Sequence, residues 1–462
     1  MNKTGADKMG VMPINKLLLS MSLPMMISMM IQALYNIVDS IFVAQICEDA
    51  LTAVSMAFPM QTLLIASAVG IGVGVNALLS RSLGEKNKTL ANKAATNGLL
   101  LGLIAYIIFL LIGIFGVKPF YLLQVGSADS PITQYGIQYL SCVMIFSFGM
   151  YTQIICERIL ISTGRTVYSM ITQLIGAVIN IILDPIMIFG YFGMPAMGVI
   201  GAAVATVTGQ CAAAAVAVIL NIKKNHDVHI SFKAFRPDKS AIKTILAVGI
   251  PSMIMQAIGS VMTFTFNKML IWFSSTAVAI FGIFFKLNSI VFMPVFGLNN
   301  GMVPIISYNF GAQNRKRMLK TIKYSVIYAM AIMLIGLAII EIFPDKLLFL
   351  FNASDNMLAI GVPALRIICM SFALAGCSIV MSSVFQALGH GVLSMFISLI
   401  RQLIVLLPCA FILALIGKHN GGNVSYIWWS FDIAEIASLT TSLLFFRHIY
   451  KTVISKLPEG AD

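Results

Sequence analysis

The sequence predicts an all-α membrane protein with twelve transmembrane helices in two six-helix lobes. Hydrophobic residues make up 59% of the 462 residues and charged residues only 10%, whereas soluble globular domains carry about 25% charged residues. Apolar segments recur along the chain at lengths suited to crossing a bilayer, which takes about 20 residues in a helix. The second half of the chain also repeats features of the first. A soluble protein is therefore excluded.

The predicted spans follow one another with short polar connections, except for one longer basic connection in the middle. They lie at about 17–45, 51–80, 92–117, 131–161, 166–190, 197–221, 242–273, 276–308, 318–343, 358–386, 393–416 and 425–449. This divides the chain into a cytoplasmic segment 1–16, an N-lobe 17–221, an inter-lobe loop 222–241, a C-lobe 242–449 and a cytoplasmic tail 450–462.

The formal net charge of +13 reflects membrane topology rather than nucleic-acid binding. Most of the 30 Lys and Arg residues fall in connections on one side of the membrane, and only Lys118, Lys346 and Lys418 fall on the other. Because cytoplasmic connections carry the excess of positive charge, we expect a multi-pass monomer in the plasma membrane with both termini in the cytoplasm. The seven Cys residues include no C-x-x-C pair, which argues against a disulfide framework, a zinc site or another cofactor.

Two copies of a six-helix unit are present within the chain. A shift of 227 residues pairs identical residues: Pro24 with Pro251, Met26 with Met253, Gly74 with Gly301, Ser80 with Ser307, Gly84 with Gly311 and Asn87 with Asn314. A shift of 225 pairs Gly164 with Gly389 and Ser169 with Ser394. Because each copy has six spans, both enter the membrane in the same orientation. The repeat predicts a pseudo-two-fold axis along the membrane normal and a cavity between the lobes.

The first span carries a polar stripe that ends in an acid. Four residues spaced i, i+3, i+4 and i+7 share one helix face: Gln32, Tyr35, Asn36 and Asp39. An ionisable side chain near the bilayer centre costs about 2.5–3.5 kcal/mol on insertion scales, so the stripe must face protein or water. We expect the stripe, together with the adaptable side chain of Met29 one turn earlier, to line the cavity and bind substrate.

A second acid lies in the fifth span, where Asn180 precedes Asp184 by one helical turn. Pro185 removes a backbone N–H and, like Pro24 in the first span, is predicted to bend its helix. The two acids, the amide and the Thr206 hydroxyl of the sixth span can together hold a proton or Na⁺, because hard cations prefer oxygen ligands. The alternative interpretation is that these groups only bond neighbouring helices.

Only the first copy carries these acids. The repeat places Asp39 opposite Phe266 and Asp184 opposite Cys409. If the polar groups served only the fold, the second copy should need similar groups at the same places. A functional role is therefore favoured for both acids.

Other ionisable residues in or near the spans have a structural explanation. In the last span, Asp432 and Glu435 are expected to form buried ion pairs with Arg366 or Arg401, and a second ion site is the alternative. Glu157 and the adjacent Arg158, in the fourth span, are expected at the cytoplasmic membrane interface.

Four stretches of the chain resemble the multidrug and toxic compound extrusion (MATE) family. They are Tyr35-Asn-Ile-Val-Asp39-Ser-Ile-Phe-Val, Leu83-Gly-Glu-Lys-Asn87, Asn180-Ile-Ile-Leu-Asp184-Pro and Met197-Gly-Val-Ile-Gly201-Ala-Ala-Val-Ala-Thr206. The resemblance covers nearly the whole chain and implies twelve helices in two lobes. It is to the prokaryotic branch similar to the DNA-damage-inducible type.

This resemblance implies a transporter rather than an enzyme, one that exports organic, often cationic and amphipathic, compounds in exchange for H⁺ or Na⁺. In that branch the cation is placed in the N-lobe, on residues matching Asp39, Asn180 and Asp184, with Thr206 at an associated Ala-Thr position. The C-lobe acids of another branch have no counterpart in the seventh or eighth span. We expect cation binding in the N-lobe to drive alternating access.

Two other functions are weighed against this one. A flippase for a lipid-linked or polysaccharide precursor would use a cationic central cavity, and four basic residues within the spans support it: Lys268, Lys286, Arg366 and Arg401. An intramembrane enzyme is disfavoured, because the sequence contains no H-E-x-x-H, G-x-S-x-G or Walker motif.

Overall fold

A computed structural model describes residues 7–230, 236–351 and 353–460, and it is helical throughout, with no strand in these ranges. Twelve long helices, labelled α1 to α12, account for most of it: α1 Ile14–Ala44, α2 Glu48–Gly84, α3 Lys88–Val125, α4 Pro131–Ile145 with Phe148–Ser162, α5 Thr166–Phe189, α6 Val199–Lys224, α7 Lys239–Leu270, α8 Ser275–Gly311, α9 Arg315–Ile342, α10 Asp355–Met370 with Phe372–Ala387, α11 Gly391–His419 and α12 Ser425–Thr452. Short helices precede α1 (Asp7–Val11) and α10 (Pro344–Phe349).

The membrane-spanning character of the helices follows from their length and hydropathy. Within the described residues, nine helices are long and apolar enough to cross a membrane, and the bent pairs α4 and α10 bring the number to eleven. α12 has 28 residues, which exceeds the roughly 20 needed for a span, but it carries Asp432 and Glu435 in its middle. The prediction of an all-α membrane protein is confirmed.

The two lobes meet through contacts that obey the internal repeat. A Cβ atom on Gly84 of α2 would lie 1.9 Å from the Tyr308 carbonyl oxygen of α8, and one on Gly311 would lie 2.1 Å from the Arg81 carbonyl oxygen. Residues 84 and 311, like 81 and 308, are partners in the repeat. One contact is therefore the symmetry mate of the other, and both require glycine because no side chain fits between the backbones. This reciprocity is what a pseudo-two-fold axis between the lobes produces.

The first and last residues that the structure describes lie on the side where these glycines meet. The Asn309 side-chain amide donates to the Met9 carbonyl oxygen at 3.2 Å, and the Lys316 N–H donates to the Glu459 carbonyl oxygen at 3.0 Å. Next to them, the inter-lobe connection is fixed by a buried ion pair of 3.0 Å between Arg165 and Asp227. The described residues near both termini, and Asp227 of the connection, thus lie at the end of the lobe interface where the glycines meet.

α4 and α10 break at equivalent places, bending by 46° and 45°. No proline lies at either break. Instead, the Ser147 hydroxyl donates to the Met144 carbonyl oxygen at 2.8 Å, and the Ser371 hydroxyl donates to the Ile368 carbonyl oxygen at 2.6 Å. Such side-chain bonds to the preceding turn compete with the backbone hydrogen bonds of the helix. A serine that bonds back to the preceding turn therefore lies at each break, a feature on which the sequence prediction did not draw.

The prolines predicted to bend helices lie elsewhere. Pro24 is inside α1 and Pro185 is inside α5, and both helices continue through them. A bending role for Pro24 and Pro185 during transport stays a prediction. A different irregularity occurs in α11, where Ile400–Leu406 winds as a π-helix.

The interior of the C-lobe is an aromatic cluster. Phe266 of α7 is fully buried, and its ring lies 4.6 Å from that of Phe281 and 5.1 Å from that of Phe431, measured between centroids. Trp428 packs against the same ring at 6.0 Å. Position 266 is the repeat partner of Asp39, so the two lobes have opposite chemistry at this place.

Candidate functional site

The fold brings together the predicted polar residues of α5 and α6. Asp184 is 0% exposed, Asn180 2% and Thr206 7%. With its amide oriented to satisfy both neighbours, Asn180 donates to Asp184 Oδ2 at 3.0 Å and accepts from the Thr206 N–H at 3.1 Å and from the Thr206 hydroxyl at 3.3 Å. Asn180 therefore links the acid of α5 to the first half of α6.

α1 completes the group from the opposite side. Asp39 lies close enough to Asp184 for their charges to interact, and its Oδ1 is buried without a hydrogen-bond partner among the described residues. The Tyr35 side chain lies beside Thr206, and it is close enough to both carboxylates for an electrostatic interaction. A buried polar atom is normally hydrogen-bonded, so the unsatisfied Asp39 oxygen, next to a second carboxylate, is a place where a cation would be stabilised.

A cavity of about 650 Å³ lies between the lobes, beside this group. All four residues predicted to line it do so: Met29, Gln32, Tyr35 and Asn36. Asn180 and Thr206 also line it, whereas Asp39 and Asp184 lie behind the wall. Tyr35, Asn180 and Thr206 therefore face the cavity on one side and the acids on the other.

The match to known proteins agrees with this architecture in both halves of the chain. The MatE family model matches residues 24–186 and 251–412, one match in each lobe. The chain belongs to the MATE family. A transporter family is thereby assigned, and the predicted resemblance is confirmed.

Individual relatives match along nearly the whole length. The multidrug export protein MepA of Staphylococcus haemolyticus (strain JCSC1435) is 28% identical over 427 residues, covering 91% of this chain and 90% of MepA. A crystal structure of MATE in complex with MaL6 has a TM-score of 0.90 at 25% identity and covers 99% of this chain and 100% of its own. An outward-facing multidrug resistance MATE transporter has a TM-score of 0.89 at 25% identity, with coverages of 96% and 97%.

The MATE cavity also contains a carboxylate that the sequence reasoning placed wrongly. Glu157 was expected at the membrane interface, but it is only 5% exposed and lines the cavity. Three neutral groups donate to it: the Thr172 hydroxyl at 2.8 Å, the Gln173 amide at 2.9 Å and the Gln153 amide at 3.0 Å. Gln153 and Glu157 are spaced i, i+4 and therefore share one helix face. This spacing in the sequence could have predicted a polar helix face that lines the cavity.

The next residue, Arg158, also lines the cavity and connects the two lobes there. Its guanidinium donates to the Asn300 side-chain oxygen of α8 at 2.8 Å. Gly72 of α2 leaves room for its side chain, because a Cβ there would lie 2.7 Å from Arg158 Cγ. This charge-assisted hydrogen bond is made only while the lobes are close at this level.

The remaining basic residues of the spans are divided between cavity and periphery. Arg401 lines the cavity and donates to Glu435 Oε1 at 3.1 Å, which is one of the predicted ion pairs. Arg366 pairs with Glu341 at 3.7 Å. Lys268 and Lys286 lie over the rings of Phe264 and Phe351 and are outside the cavity lining.

No group of three or more His, Cys, Asp or Glu side chains able to hold a metal ion exists in the described part of the chain. The Asp39, Asn180, Asp184 and Thr206 group differs from such a cluster, because it combines two carboxylates with amide and hydroxyl oxygens. That donor set suits a monovalent hard cation, or a proton shared by the acids, better than a transition metal.

Proposed function

We propose that this MATE protein is a secondary active multidrug efflux transporter of the plasma membrane, which exports organic, often cationic and amphipathic, compounds in exchange for H⁺ or Na⁺. The observation that carries the proposal is the pair of N-lobe acids joined to the central cavity by Tyr35, Asn180 and Thr206. The name of the MepA relative, a multidrug export protein, supports the substrate class.

Coupling follows from electrostatics. Two interacting carboxylates in a low-dielectric interior favour taking up one positive charge, because like charges held close together cannot both persist uncompensated. Binding of H⁺ or Na⁺ at Asp39 and Asp184 then changes the charge behind the wall that Tyr35, Asn180 and Thr206 present to substrate. Cation and substrate influence each other's affinity through these three residues, and the influence is reciprocal.

Alternating access would move the two lobes about the pseudo-two-fold axis. The close glycine contacts and the Arg158–Asn300 bond all lie toward the side of the termini. With both termini in the cytoplasm, as the distribution of basic residues predicts, this state is closed to the cytoplasm and faces outward. Opening inward would break those contacts, and bends at Pro24 and Pro185 would accommodate the change. A monomer suffices, because one chain supplies both lobes and the cavity.

A flippase for lipid-linked precursors is the weaker alternative. It would need a cationic cavity, but Arg401 is paired with Glu435 and Glu157 contributes a negative charge to the wall. Lys268, Lys286 and Arg366 do not line the cavity. The charged residues of the lining are Glu157, Arg158, which bonds to Asn300, and Arg401, which is paired with Glu435. This mixed lining is not the cationic cavity that a flippase for anionic headgroups would need.

The test uses purified full-length protein in liposomes, with a fluorescent organic cation as substrate and an imposed pH or Na⁺ gradient applied separately. We expect one of the gradients to drive transport in the natural protein, which identifies the coupling ion. Asp39→Asn and Asp184→Asn should each reduce gradient-driven transport to the level of empty liposomes. The matched control is Asp129→Asn, the same change at an exposed acid between α3 and α4, which should transport normally. Normal transport by both N-lobe variants would contradict the proposal.

A further inference from the structure

α12 carries a polar face that the proposed function does not use. Asp432, Glu435, Ser438 and Ser442 lie within about one third of the helix circumference, because they are spaced three or four residues apart. Glu435 is 91% buried, at 9% exposure, and both serines are 0% exposed. Such a run of buried polar groups within a membrane helix is costly and points to a function.

Most of the oxygens on this face have no hydrogen-bond partner in the described residues. The unpartnered buried atoms include Asp432 Oδ2, Glu435 Oε2, and the hydroxyl oxygens of Ser438 and Ser442. The other Glu435 oxygen, Oε1, accepts from the Arg401 guanidinium at 3.1 Å. The Arg401–Glu435 ion pair uses only one of the two Glu435 oxygens and leaves the Asp432 and serine oxygens beside it without a partner. These atoms instead present a set of oxygen ligands on one side of the helix.

The charge on this side of the C-lobe is unbalanced. Arg401 neutralises Glu435, and Arg366 faces Glu341 at 3.7 Å. Asp432 forms no ion pair within the described residues, so the group retains one uncompensated negative charge. A single monovalent cation would balance it.

We propose that Asp432, Glu435 and Ser438 form a Na⁺ site in the C-lobe, separate from the acids of the N-lobe. The available ligand atoms are all oxygens, which hard cations prefer. They include the Ser438 hydroxyl, which Na⁺ can use as a ligand, whereas a proton would need only a carboxylate oxygen. Access is provided by the central cavity, which is lined by Ser438 and Arg401. Arg401 lies in the π-helix Ile400–Leu406, an irregularity that is frequent at functional sites.

The site predicts that Na⁺ stabilises the protein even without the N-lobe acids, because a ligand that binds only the folded state raises the unfolding temperature. The experiment therefore uses the full chain carrying Asp39→Asn and Asp184→Asn, in detergent, with NaCl compared with choline chloride at equal ionic strength. We expect a saturable rise in the unfolding temperature with Na⁺, and binding of one ²²Na⁺ per chain. Adding Asp432→Asn should abolish both. Absence of the Na⁺ response, or its persistence in Asp432→Asn, would overturn the proposal.

Two further variants separate a cation site from a structural ion pair. Ser438→Ala removes one neutral ligand, and we expect Na⁺ affinity to fall about tenfold while the fold is retained. Arg401→Gln removes the compensating charge, so Na⁺ should bind more tightly, whereas a purely structural pair predicts lower stability without any Na⁺ dependence. Asp355→Asn, at an exposed acid of the C-lobe, should leave the Na⁺ response unchanged.

A proton is the competing occupant of Asp432, and the same background tests it. If stability depended on pH through Asp432 but not on Na⁺, the Na⁺ assignment would be wrong. Because the N-lobe acids are already removed in this background, the outcome is independent of the coupling proposed for Asp39 and Asp184. Failure of either proposal leaves the other standing.

Discussion

The two lobes share a backbone but differ in what fills them. Asp39 in α1 and Phe266 in α7 are equivalent positions in the repeat, yet Asp39 joins a polar group with Asp184 while Phe266 is packed among Phe281, Phe431 and Trp428. The contacts between the lobes, by contrast, are of the same type in both copies of the repeat: Gly84 and Gly311 each allow close approach of the opposite backbone. The repeat thus preserves the surfaces at which the lobes meet and allows the interiors to differ.

The different residues in the two lobe interiors indicate different contributions to stability and to function. An aromatic interior gains free energy from buried area and ring contacts, so we expect the C-lobe core at Phe266 to contribute mainly to stability. A polar interior with an unsatisfied carboxylate oxygen gains little stability but can respond to a cation. We infer that the N-lobe core contributes less to folding and more to coupling than its counterpart.

The largest expected effect comes from truncating the equivalent positions. Phe266→Ala removes a fully buried ring and should destabilise the protein by about 3–5 kcal/mol. Asp39→Ala removes an acid with an unpartnered oxygen and should change stability far less, while abolishing coupled transport. Unfolding temperatures in detergent, with transport in liposomes, check both. A loss of stability as large for Asp39→Ala as for Phe266→Ala would contradict the division of roles.

The cavity walls give a second comparison. Counting back equally from the ends of α4 and α10, Glu157 corresponds to Ser382, and both line the cavity. Glu157 forms no ion pair with another described residue, and its three donors are neutral. The adjacent Arg158 also lines the cavity, but its guanidinium bonds to Asn300 and not to Glu157, so an organic cation in the cavity can approach the Glu157 carboxylate. Glu157→Gln should weaken binding of a monocationic substrate about tenfold, or about 1.4 kcal/mol, and leave binding of a neutral substrate unchanged.

Ser382→Ala is the matched control on the opposite wall. It alters a polar group without changing charge, so cation binding, measured by fluorescence titration of the purified protein, should change little. Equal losses for Glu157→Gln and Ser382→Ala, or equal losses for cationic and neutral substrates, would show that charge is not what the wall recognises.

Hydropathy and the repeat made the spans and the two-lobe plan predictable, since both depend on local composition. The stripe from Gln32 to Asp39 was also predictable, because helical spacing alone fixes which residues share a face. The site as a whole was less accessible. Glu157 was misplaced because its burial depends on Thr172 and Gln173, which come from the next helix and satisfy it only after packing.

The helix breaks were also not predictable from local sequence. Bending at Pro24 and Pro185 stays a prediction, whereas the breaks of α4 and α10 lie next to Ser147 and Ser371, where no break was expected from the sequence. Serine bonds back to the preceding turn in many unbroken helices, so its presence does not by itself predict a break.

The smallest expected effect concerns a symmetric pair of hydrogen bonds. The Ser80 hydroxyl donates to the Ser162 carbonyl oxygen at 3.3 Å, and the equivalent Ser307 hydroxyl donates to the Ala387 carbonyl oxygen at 2.8 Å. Both serines are 0% exposed, and a neutral hydrogen bond contributes about 1 kcal/mol. Ser307→Ala should therefore lower stability by about 1 kcal/mol, and Ser80→Ala by less, because the longer bond is weaker. Unfolding measurements that reversed this order would mean that the repeat preserves the geometry of these bonds but not their energetic weight.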